Sequence, residues 1–285
     1  MTTRREAITT LGAAAGLTGL RAAYTMHRAS SIPPHPAPII PSVGVQLYTV
    51  RSEMRSDVDR TLARVAEIGY EEVEFAEYFD RSAAQIRRIL DDNGLKAPAS
   101  HIGIEQMENQ WDMVVDFAAT VGHQYVVVAY IDAEDRKSLD DYRRITDRFN
   151  VVAERANAAG ITFGYHNHDF EFEMLEGQVP FDVILTHADP TLVQFEMDLF
   201  WILNGGADPL DYFRRYPGRF PMVHVKDMAS DGSMVDVGAG EIDFAQIFAQ
   251  SGMAGIRHYF VEHDDPSSPF GSIRASYGYL RGLEF

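Results

Sequence analysis

The segment Phe163-Gly-Tyr-His-Asn-His168 is a short apolar run that ends in two histidines. Three later segments repeat this pattern, because each apolar run contains or ends in an acid, a histidine or a lysine: Phe195-Glu-Met-Asp198, Met222-Val-His-Val-Lys226 and Tyr259-Phe-Val-Glu262. The segments follow one another at intervals of about 30 residues, which is the spacing of βα units. We therefore expect four neighbouring parallel strands whose polar ends meet at one face of the sheet.

The same alternation of β-branched or aromatic runs with amphipathic stretches extends from residue 43 to the C-terminus. It predicts eight strands, at residues 43–48, 72–76, 96–101, 125–130, 162–168, 193–198, 220–226 and 258–263. Eight such units predict a closed α/β barrel of the (β/α)8 type. The competing fold is an open doubly wound sheet, but Gln46-Leu-Tyr-Thr-Val-Arg51 stands where that fold carries a glycine-rich phosphate loop.

Helices are predicted between these strands, including residues 58–68, 83–93, 111–121, 139–159 and 244–251. Three of them are expected to stop at Asn93-Gly94, Ala159-Gly160 and Ser251-Gly252, since glycine tolerates the left-handed conformation of a helix C-cap.

The N-terminus differs from the rest of the chain. Arg4-Arg5 precedes a mildly apolar run, and we interpret residues 1–29 as a twin-arginine export signal, the alternative being an ordinary basic helix. Five prolines make residues 30–42 an extended linker, so the catalytic domain is expected at 43–285. These features predict recognition by the twin-arginine machinery and a periplasmic or extracellular location.

Charge and composition exclude several classes of protein. The 285-residue chain is 46% hydrophobic, which is enough for a full core, and it has a net charge of −17. Such an acidic protein is a poor ligand for nucleic acid or an anionic membrane. The absence of cysteine excludes disulfides and thiolate metal ligands.

Alternate residues of a barrel strand face inward, so one member of each polar pair can reach a common centre. We predict that His166, Asp198, His224 and Glu262 bind one divalent metal ion, because buried charges on adjacent strands need a counter-charge. Imidazole and carboxylate ligands suit Mn²⁺, Zn²⁺, Co²⁺ or Fe²⁺, with Mg²⁺ also considered. The alternative is a purely structural hydrogen-bond network.

These segments also resemble a known family. The motifs that carry the resemblance are Tyr165-His-Asn-His168, Glu196-Met-Asp-Leu-Phe-Trp201, His224-Val-Lys-Asp227, Val237-Gly-Ala-Gly-Glu-Ile-Asp243 and Val261-Glu-His263. Together they resemble the sugar phosphate isomerase and epimerase family of xylose isomerase-like TIM barrels, and the likeness runs from about residue 43 to the C-terminus. That family also includes inosose dehydratases and endonuclease-IV-type enzymes.

The resemblance implies a metal held by Glu, Asp, His and Glu on strands five to eight, with the two glutamates also moving protons. Asp198, His224 and Glu262 match the last three positions, whereas His166 stands in place of the first glutamate. Because imidazole is a weaker base than that role needs, the two-glutamate mechanism does not carry over intact. The Tyr-His-x-His strand is more similar to the inosose dehydratase branch.

The expected reaction starts with removal of a proton next to a carbonyl, assisted by the metal as a Lewis acid. We assign Glu262 as the base, with His168 or Lys226 as the acid or oxyanion partner. Return of the proton gives an isomerase or epimerase, and loss of a β-oxygen gives a dehydratase or lyase.

Substrate contacts are predicted for five residues, each with a structural hydrogen bond or packing as the alternative: Gln46, Tyr48, Glu74, His101 and Trp201. The loop at residues 238–243 is interpreted as a tight turn rather than a phosphate cradle, because Glu241 and Asp243 would repel phosphate. The predicted substrate is therefore an unphosphorylated carbohydrate. Three alternatives remain: a lyase or hydratase acting on 3-keto-glycosides or inososes, a metal-dependent phosphodiesterase, and a sugar-binding protein without catalysis.

Overall fold

The computed structural model describes residues 39–285. The export signal predicted for residues 1–29 and most of the linker predicted for 30–42 lie outside the described residues. Ile40 is buried against the domain, and the Arg281 guanidinium donates a hydrogen bond to its carbonyl oxygen at 3.4 Å. Among the residues from 39 onward, no helix is long and apolar enough to span a bilayer.

Eight parallel strands close into a barrel, as predicted. In chain order the barrel strands are β1 (Gly44–Gln46), β2 (Glu72–Phe75), β3 (Lys96–Ile102), β4 (Tyr125–Val128), β5 (Thr162–His166), β6 (Val193–Asp198), β7 (Met222–Val225) and β10 (His258–Val261). A small antiparallel ribbon, β8 (Asp227–Met228) with β9 (Met234–Val235), follows β7. The barrel closes where β1 pairs with β10, in the register Gly44 to Phe260.

Helices cover the outside of the barrel. They are α1 (Arg51–Ser56), α2 (Val58–Ile68), α3 (Ala83–Asn93), α4 (Ile104–Asn109), α5 (Trp111–Val121), α6 (Leu139–Ala158), α7 (Pro180–His187), α8 (Leu199–Asn204), α9 (Pro209–Arg215), α10 (Phe244–Phe248), α11 (Ser251–Ala254) and α12 (Pro269–Arg281). Short 3₁₀ helices occur at Leu47–Val50 and Ala133–Asp135. The predictions for α2, α3 and α5 are confirmed at both ends, and α6 ends one residue before the expected position.

The single helix predicted for residues 244–251 is wrong, because the chain forms α10 and α11 there instead. The stop predicted at Ser251-Gly252 is also wrong, since Ser251 begins α11. The left-handed residue is Gly255, at φ +87°, and its N–H bonds to the Ser251 carbonyl at 2.8 Å. The predicted stops at Gly94 and Gly160 are confirmed by their positive φ angles of 67° and 76°.

The interior of the barrel has an apolar half and a polar half. Side chains from two pairs of neighbouring strands, β3 with β4 and β7 with β10, form a small apolar cluster that consists of Ala99, Tyr125, Val127, Met222 and Phe260. Gly44 leaves room for the Phe260 ring, because a Cβ atom there would lie 2.6 Å from that ring. The larger apolar cluster packs the strands against the helices. Polar inward-facing side chains therefore collect at the carboxyl ends of the strands, where barrel enzymes carry their active sites.

Candidate active site

The four predicted metal ligands come together at the carboxyl ends of neighbouring strands. His166 and Asp198 are the last residues of β5 and β6, and His224 lies beside Asp198 in the register between β6 and β7. Glu262 follows directly after β10. All four side chains are buried, with at most 5% of any residue exposed.

We call these four residues the outer set. Ligand atoms of three of them, Asp198, His224 and Glu262, lie within 4.8 Å of one another, and His166 lies beside Asp198. His166 Nε2 lies 3.7 Å and His224 Nδ1 lies 3.9 Å from Asp198 Oδ2. His224 Nδ1 lies 2.8 Å from Glu262 Oε2. Asp198 is held in place because its other oxygen, Oδ1, accepts a hydrogen bond from the Trp201 N–H at 2.8 Å. Two imidazole nitrogens and two carboxylate oxygens form a donor set that fits a first-row divalent ion.

Lys226 lies within the same group and is almost completely buried. Its ammonium nitrogen lies 3.0 Å from Asp198 Oδ2, 2.8 Å from Glu262 Oε2 and 2.8 Å from Asp264 Oδ1. Burial alone would lower the pKa of Lys226, but Asp198 and Glu262 outweigh burial and raise it. The side chain is therefore a permanent cation.

The pKa values of the two carboxylates beside Lys226 are shifted in opposite directions. Burial would raise the pKa of Glu262, but Lys226 and His224 hold it well below its usual range. At Asp198 burial has the larger effect and raises the pKa to about 6, against the opposing influence of Lys226 and His224. Glu262 is thus ionised near neutral pH.

A second, deeper group of side chains was not predicted as a unit. Glu196 Oε2 lies 2.7 Å from His101 Nε2, 3.1 Å from His224 Nε2 and 3.2 Å from His166 Nδ1. Ligand atoms of these four residues, which we call the inner set, all lie within 4.8 Å of one another. The sequence did contain a signal for the position of Glu196: the period of two along β6 places Glu196 and Asp198 on the same inward face.

The five residues predicted to bind substrate separate into two groups. Tyr48 and His101 line a cavity of about 360 Å³ above the site. Gln46 and Glu74 are buried outside the cavity lining, where Gln46 Nε2 donates to Glu74 Oε2 at 2.8 Å and His224 Nε2 lies 2.7 Å from that same oxygen. Trp201 also lies outside the lining, with its ring 5.5 Å from the Lys226 ammonium.

His168 lines the cavity, together with residues predicted to bind the metal and residues predicted to contact the substrate. The lining consists of Tyr48, Ala76, His101, Ile102, Gly103, Ala129, Tyr130, His166, His168, Lys226, Glu262 and Asp264. The His168 ring stacks on Phe170, with centroids 5.5 Å apart. Burial and the nearby Lys226 lower the pKa of His168 to about 3, so its imidazole is neutral.

Glu171 is a buried acid that the sequence did not single out. Its carboxyl group accepts hydrogen bonds from the Tyr165 hydroxyl and from the His168 N–H, the latter at 2.9 Å. Burial raises the pKa of Glu171 to about 7. The side chain therefore fixes the loop that presents His168 to the cavity.

The loop after β9 is a tight turn, as predicted. The Asp227 carboxylate accepts hydrogen bonds from the N–H groups of Gly238, Gly240 and Ile242, at 2.8, 3.0 and 3.2 Å. These donors are therefore already bound to a carboxylate and do not form a phosphate cradle. The predicted helix cap is also confirmed, because Asp243 accepts from the Gln246 N–H at 2.9 Å.

Relatives of this chain include sugar-metabolising enzymes. An inosose dehydratase of Geobacillus kaustophilus (strain HTA426) is 23% identical over 232 residues, which cover 67% of this chain and 75% of that protein. The solved structure of a sugar phosphate isomerase/epimerase from Parabacteroides distasonis ATCC 8503 superposes with a TM-score of 0.75. It is 26% identical, and the match covers 84% of this chain and 93% of the other.

A zinc-bound structure of the IolI protein shares the fold, with a TM-score of 0.68 and 15% identity over 86% of this chain and 99% of the other. Residues 62–282 match the sequence model of a family described as the xylose isomerase-like TIM barrel. This match spans more than half of the chain and agrees with the closed barrel described above. The protein therefore belongs to the xylose isomerase-like TIM barrel family.

Proposed function

We propose that this protein is a divalent-metal-dependent enzyme that isomerises or epimerises an unphosphorylated keto-sugar or cyclic polyol ketone. The proposed first step is removal of the proton next to the carbonyl. The observation that carries the proposal is the convergence of His166, Asp198, His224 and Glu262, with Lys226 among them, beneath a cavity. Buried carboxylates, imidazoles and a cavity are the features expected of such a site.

The outer set is the proposed metal site, because ligand atoms of Asp198, His224 and Glu262 lie within 4.8 Å of one another, with His166 beside Asp198, and because Glu262 and His166 also line the cavity. A metal bound there supplies Lewis acidity, which stabilises the negative charge that develops on the substrate oxygen during proton removal. The acidic surroundings support this assignment. Glu74 and Glu196 add two further buried carboxylates within reach of His224.

The protein's own groups supply the proton transfers. Glu262 is the proposed base, since it lines the cavity and is ionised. Lys226 is the better candidate for the acid or oxyanion partner, since it remains protonated, whereas the neutral His168 can accept a proton but has none to donate from a cationic form. His168 would then orient a substrate hydroxyl.

The second candidate is a lyase or dehydratase acting on an inosose or a 3-keto-glycoside. The inosose dehydratase relatives favour it, because they are the curated proteins to which this chain is similar. The first step would be the same proton removal by Glu262. Lys226 would then protonate a departing β-oxygen instead of returning the proton to carbon.

The test is a proton NMR assay of the Zn²⁺-loaded full-length chain in D₂O, offered free ketoses, inososes and 3-keto-glycosides in turn. We expect deuterium to enter the carbon next to the carbonyl of one class. A product that differs in mass from the substrate only by the deuterium taken up would identify an isomerase or epimerase, and a loss of water or of an alcohol would identify the lyase. The control is Glu262→Gln loaded with the same metal, which should lose the exchange. Absence of exchange in every substrate class would refute the proposal and favour a binding-only or phosphodiesterase role.

A further inference from the structure

We propose that the active site continues into a second subsite, which takes a group attached to the reacting sugar, so that the substrate is a keto-sugar glycoside rather than a free monosaccharide or inosose. The inference rests on the function proposed above and names the substrate class of the same site. The second subsite is a cavity of about 250 Å³, which we call the side cavity. Its lining consists of Leu47, Tyr48, Arg51, Ala76, Glu77 and Phe79.

The side cavity adjoins the cavity of about 360 Å³ in the candidate active site, which we call the catalytic cavity. Tyr48 and Ala76 line both cavities. Tyr48 lies in the 3₁₀ helix after β1 and Ala76 directly follows β2, whereas the outer set belongs to β5, β6, β7 and the end of β10. A substrate whose reacting carbons face Glu262 and Lys226 therefore has room to extend past Ala76, toward β1 and β2.

The two cavities differ in chemistry. Six of the twelve residues that line the catalytic cavity are histidine, lysine or acids, which suits a ring covered with hydroxyl groups. Four of the six residues that line the side cavity are apolar or aromatic, namely Leu47, Tyr48, Ala76 and Phe79. A free monosaccharide or inosose would leave this apolar part of the site unused. An aryl group or a second sugar ring has an apolar face that would pack there.

Tyr48 is held in a fixed orientation at the boundary of the two cavities. The Arg51 guanidinium carbon lies 4.1 Å from the centroid of the Tyr48 ring. Arg51 Nη1 donates hydrogen bonds to the carbonyl oxygens of Tyr48 and Asp264, at 2.9 and 2.6 Å. Tyr48 nevertheless remains 42% exposed. The ring is thus supported on one face by Arg51 and has an exposed surface on which a flat apolar group can stack.

The opposite wall of the side cavity contains a strained turn. Phe79 and Asp80 have φ angles of 51° and 58°, in the left-handed region that bulky side chains seldom adopt. They occupy the centre of a turn that the Arg81 N–H closes on the Tyr78 carbonyl oxygen at 3.0 Å, and glycine, asparagine or aspartate is usual at such positions. Strain of this kind is frequent at ligand-binding sites. Here it places an aromatic ring in the cavity lining, where a glycine turn would place none.

The first experiment measures deuterium exchange by the full-length, Zn²⁺-loaded protein with methyl, phenyl and glucosyl 3-keto-glucosides, each in both anomeric forms. These compounds share the reacting ring and differ in the attached group. We expect kcat/KM for the phenyl or the glucosyl compound to exceed that for the methyl compound by at least about tenfold, because binding of a remote group raises kcat/KM. A preference for the phenyl compound would identify an aryl group as the occupant, and a preference for the glucosyl compound would identify a second sugar.

The other outcomes separate the subsite from the reaction. Values of kcat/KM within about tenfold for all three attached groups would overturn the inference and leave the proposed function intact. Exchange confined to free ketoses or inososes would do the same. Absence of exchange in every substrate class would overturn both.

The second experiment compares Phe79→Ala with Phe270→Ala. Phe270 is a matched control, because it is also a half-buried phenylalanine and lies 4.2 Å from the Arg64 guanidinium carbon, but it belongs to α12 and lines neither cavity. The measurement is the ratio of kcat/KM for the preferred glycoside to kcat/KM for the methyl glycoside, which a general loss of active protein does not change. We expect Phe79→Ala to lower this ratio by about tenfold and Phe270→Ala to preserve it.

An unchanged ratio in Phe79→Ala would overturn the inference. Should Phe79→Ala fail to fold, the comparison of the three glycosides with the unmodified protein still decides the question.

Discussion

The Lys226 ammonium lies 2.8 Å from Glu262 Oε2, so the proposed acid and the proposed base of the reaction form a buried ion pair. The same ammonium also contacts Asp198 Oδ2 at 3.0 Å. Lys226 therefore neutralises part of the charge of two carboxylates that are proposed to bind the metal, and it keeps Glu262 ionised. The role of Lys226 can be distinguished from the role of the metal by measuring metal content and catalytic rate in the same Lys226 variant.

Replacement of Lys226 by methionine should lower the catalytic rate while leaving metal binding intact. Loss of a positioned proton donor typically costs about 10²- to 10⁴-fold in rate, and Met keeps much of the side-chain volume. The measurement is kcat together with the Zn²⁺ content of the same preparation. Lys96→Met, at an exposed position on β3, is the control. A rate within about tenfold of the unmodified protein would exclude Lys226 from proton transfer.

Replacement of His224 by alanine should remove most of the bound metal and the activity while leaving the barrel folded. The reason is that His224 lies at the centre of the outer set, 2.8 Å from Glu262 and 3.9 Å from Asp198. Metal content by atomic emission and the circular dichroism spectrum check both parts. His258→Ala, a buried histidine at the other end of the barrel, should keep its metal. Stoichiometric metal in His224→Ala would show that the ligand assignment is incorrect.

Glu171 should give the protein a pH-dependent loss of stability that Glu171→Gln lacks. Burial raises the Glu171 pKa from 4.5 to about 7, so between these values the unfolded chain ionises while the folded protein stays protonated. Stability then falls as pH rises through this window, by about 1.4 kcal/mol per pH unit and about 3 kcal/mol in total.

The check is urea unfolding of both proteins at pH 5 and pH 8. Glu171→Gln also loses hydrogen-bonding capacity toward Tyr165 and the His168 N–H, so it should be less stable than the unmodified protein at pH 5. The deficit should shrink or reverse at pH 8. A deficit of the same size at both pH values would argue against ionisation of Glu171 in this range.

Replacement of Gly240 by alanine should destabilise the loop after β9. A Cβ atom at Gly240 would collide with the Asp227 carboxylate and with the Met228 carbonyl oxygen, so the backbone must shift and the Asp227 hydrogen bonds must weaken. We expect a loss of about 1–3 kcal/mol, measured by chemical unfolding. The matched control is Gly278→Ala in α12, where nothing lies within 4 Å of the added methyl group. Alanine there should stabilise the helix by about 0.5–1 kcal/mol.

The twin-arginine signal that we propose for residues 1–29 predicts export of the folded protein. Replacement of Arg4 and Arg5 by lysine should retain the protein in the cytoplasm, because the export receptor reads the arginine pair as an address. Fractionation of cells that express either form, followed by immunoblotting, is the measurement. A cytosolic marker protein controls for leakage. Equal distribution of both forms would contradict a twin-arginine route.

The barrel could be predicted because its signals are local. Each strand is a short β-branched or aromatic run, and helices such as α3 end at a glycine with positive φ, so the element order follows from nearby residues. The boundary between α10 and α11 was mispredicted for the same reason, since Ser251-Gly252 carries a stop signal in sequence while packing moves the stop to Gly255. Local propensity gives way where tertiary contacts favour another boundary.

The eight-strand barrel and the polar side chains at the ends of β5, β6, β7 and β10 could be identified from local sequence, because strand periodicity dictates which face a residue occupies. The contacts between these side chains depend on how the barrel closes. Glu196 contacts histidines from three other strands, and Glu171 reaches the His168 backbone, through distances that closure and register of the barrel fix. Whether a buried acid faces a substrate, a metal ligand or a loop depends on contacts between residues far apart in sequence. Strand periodicity contains no information about such contacts.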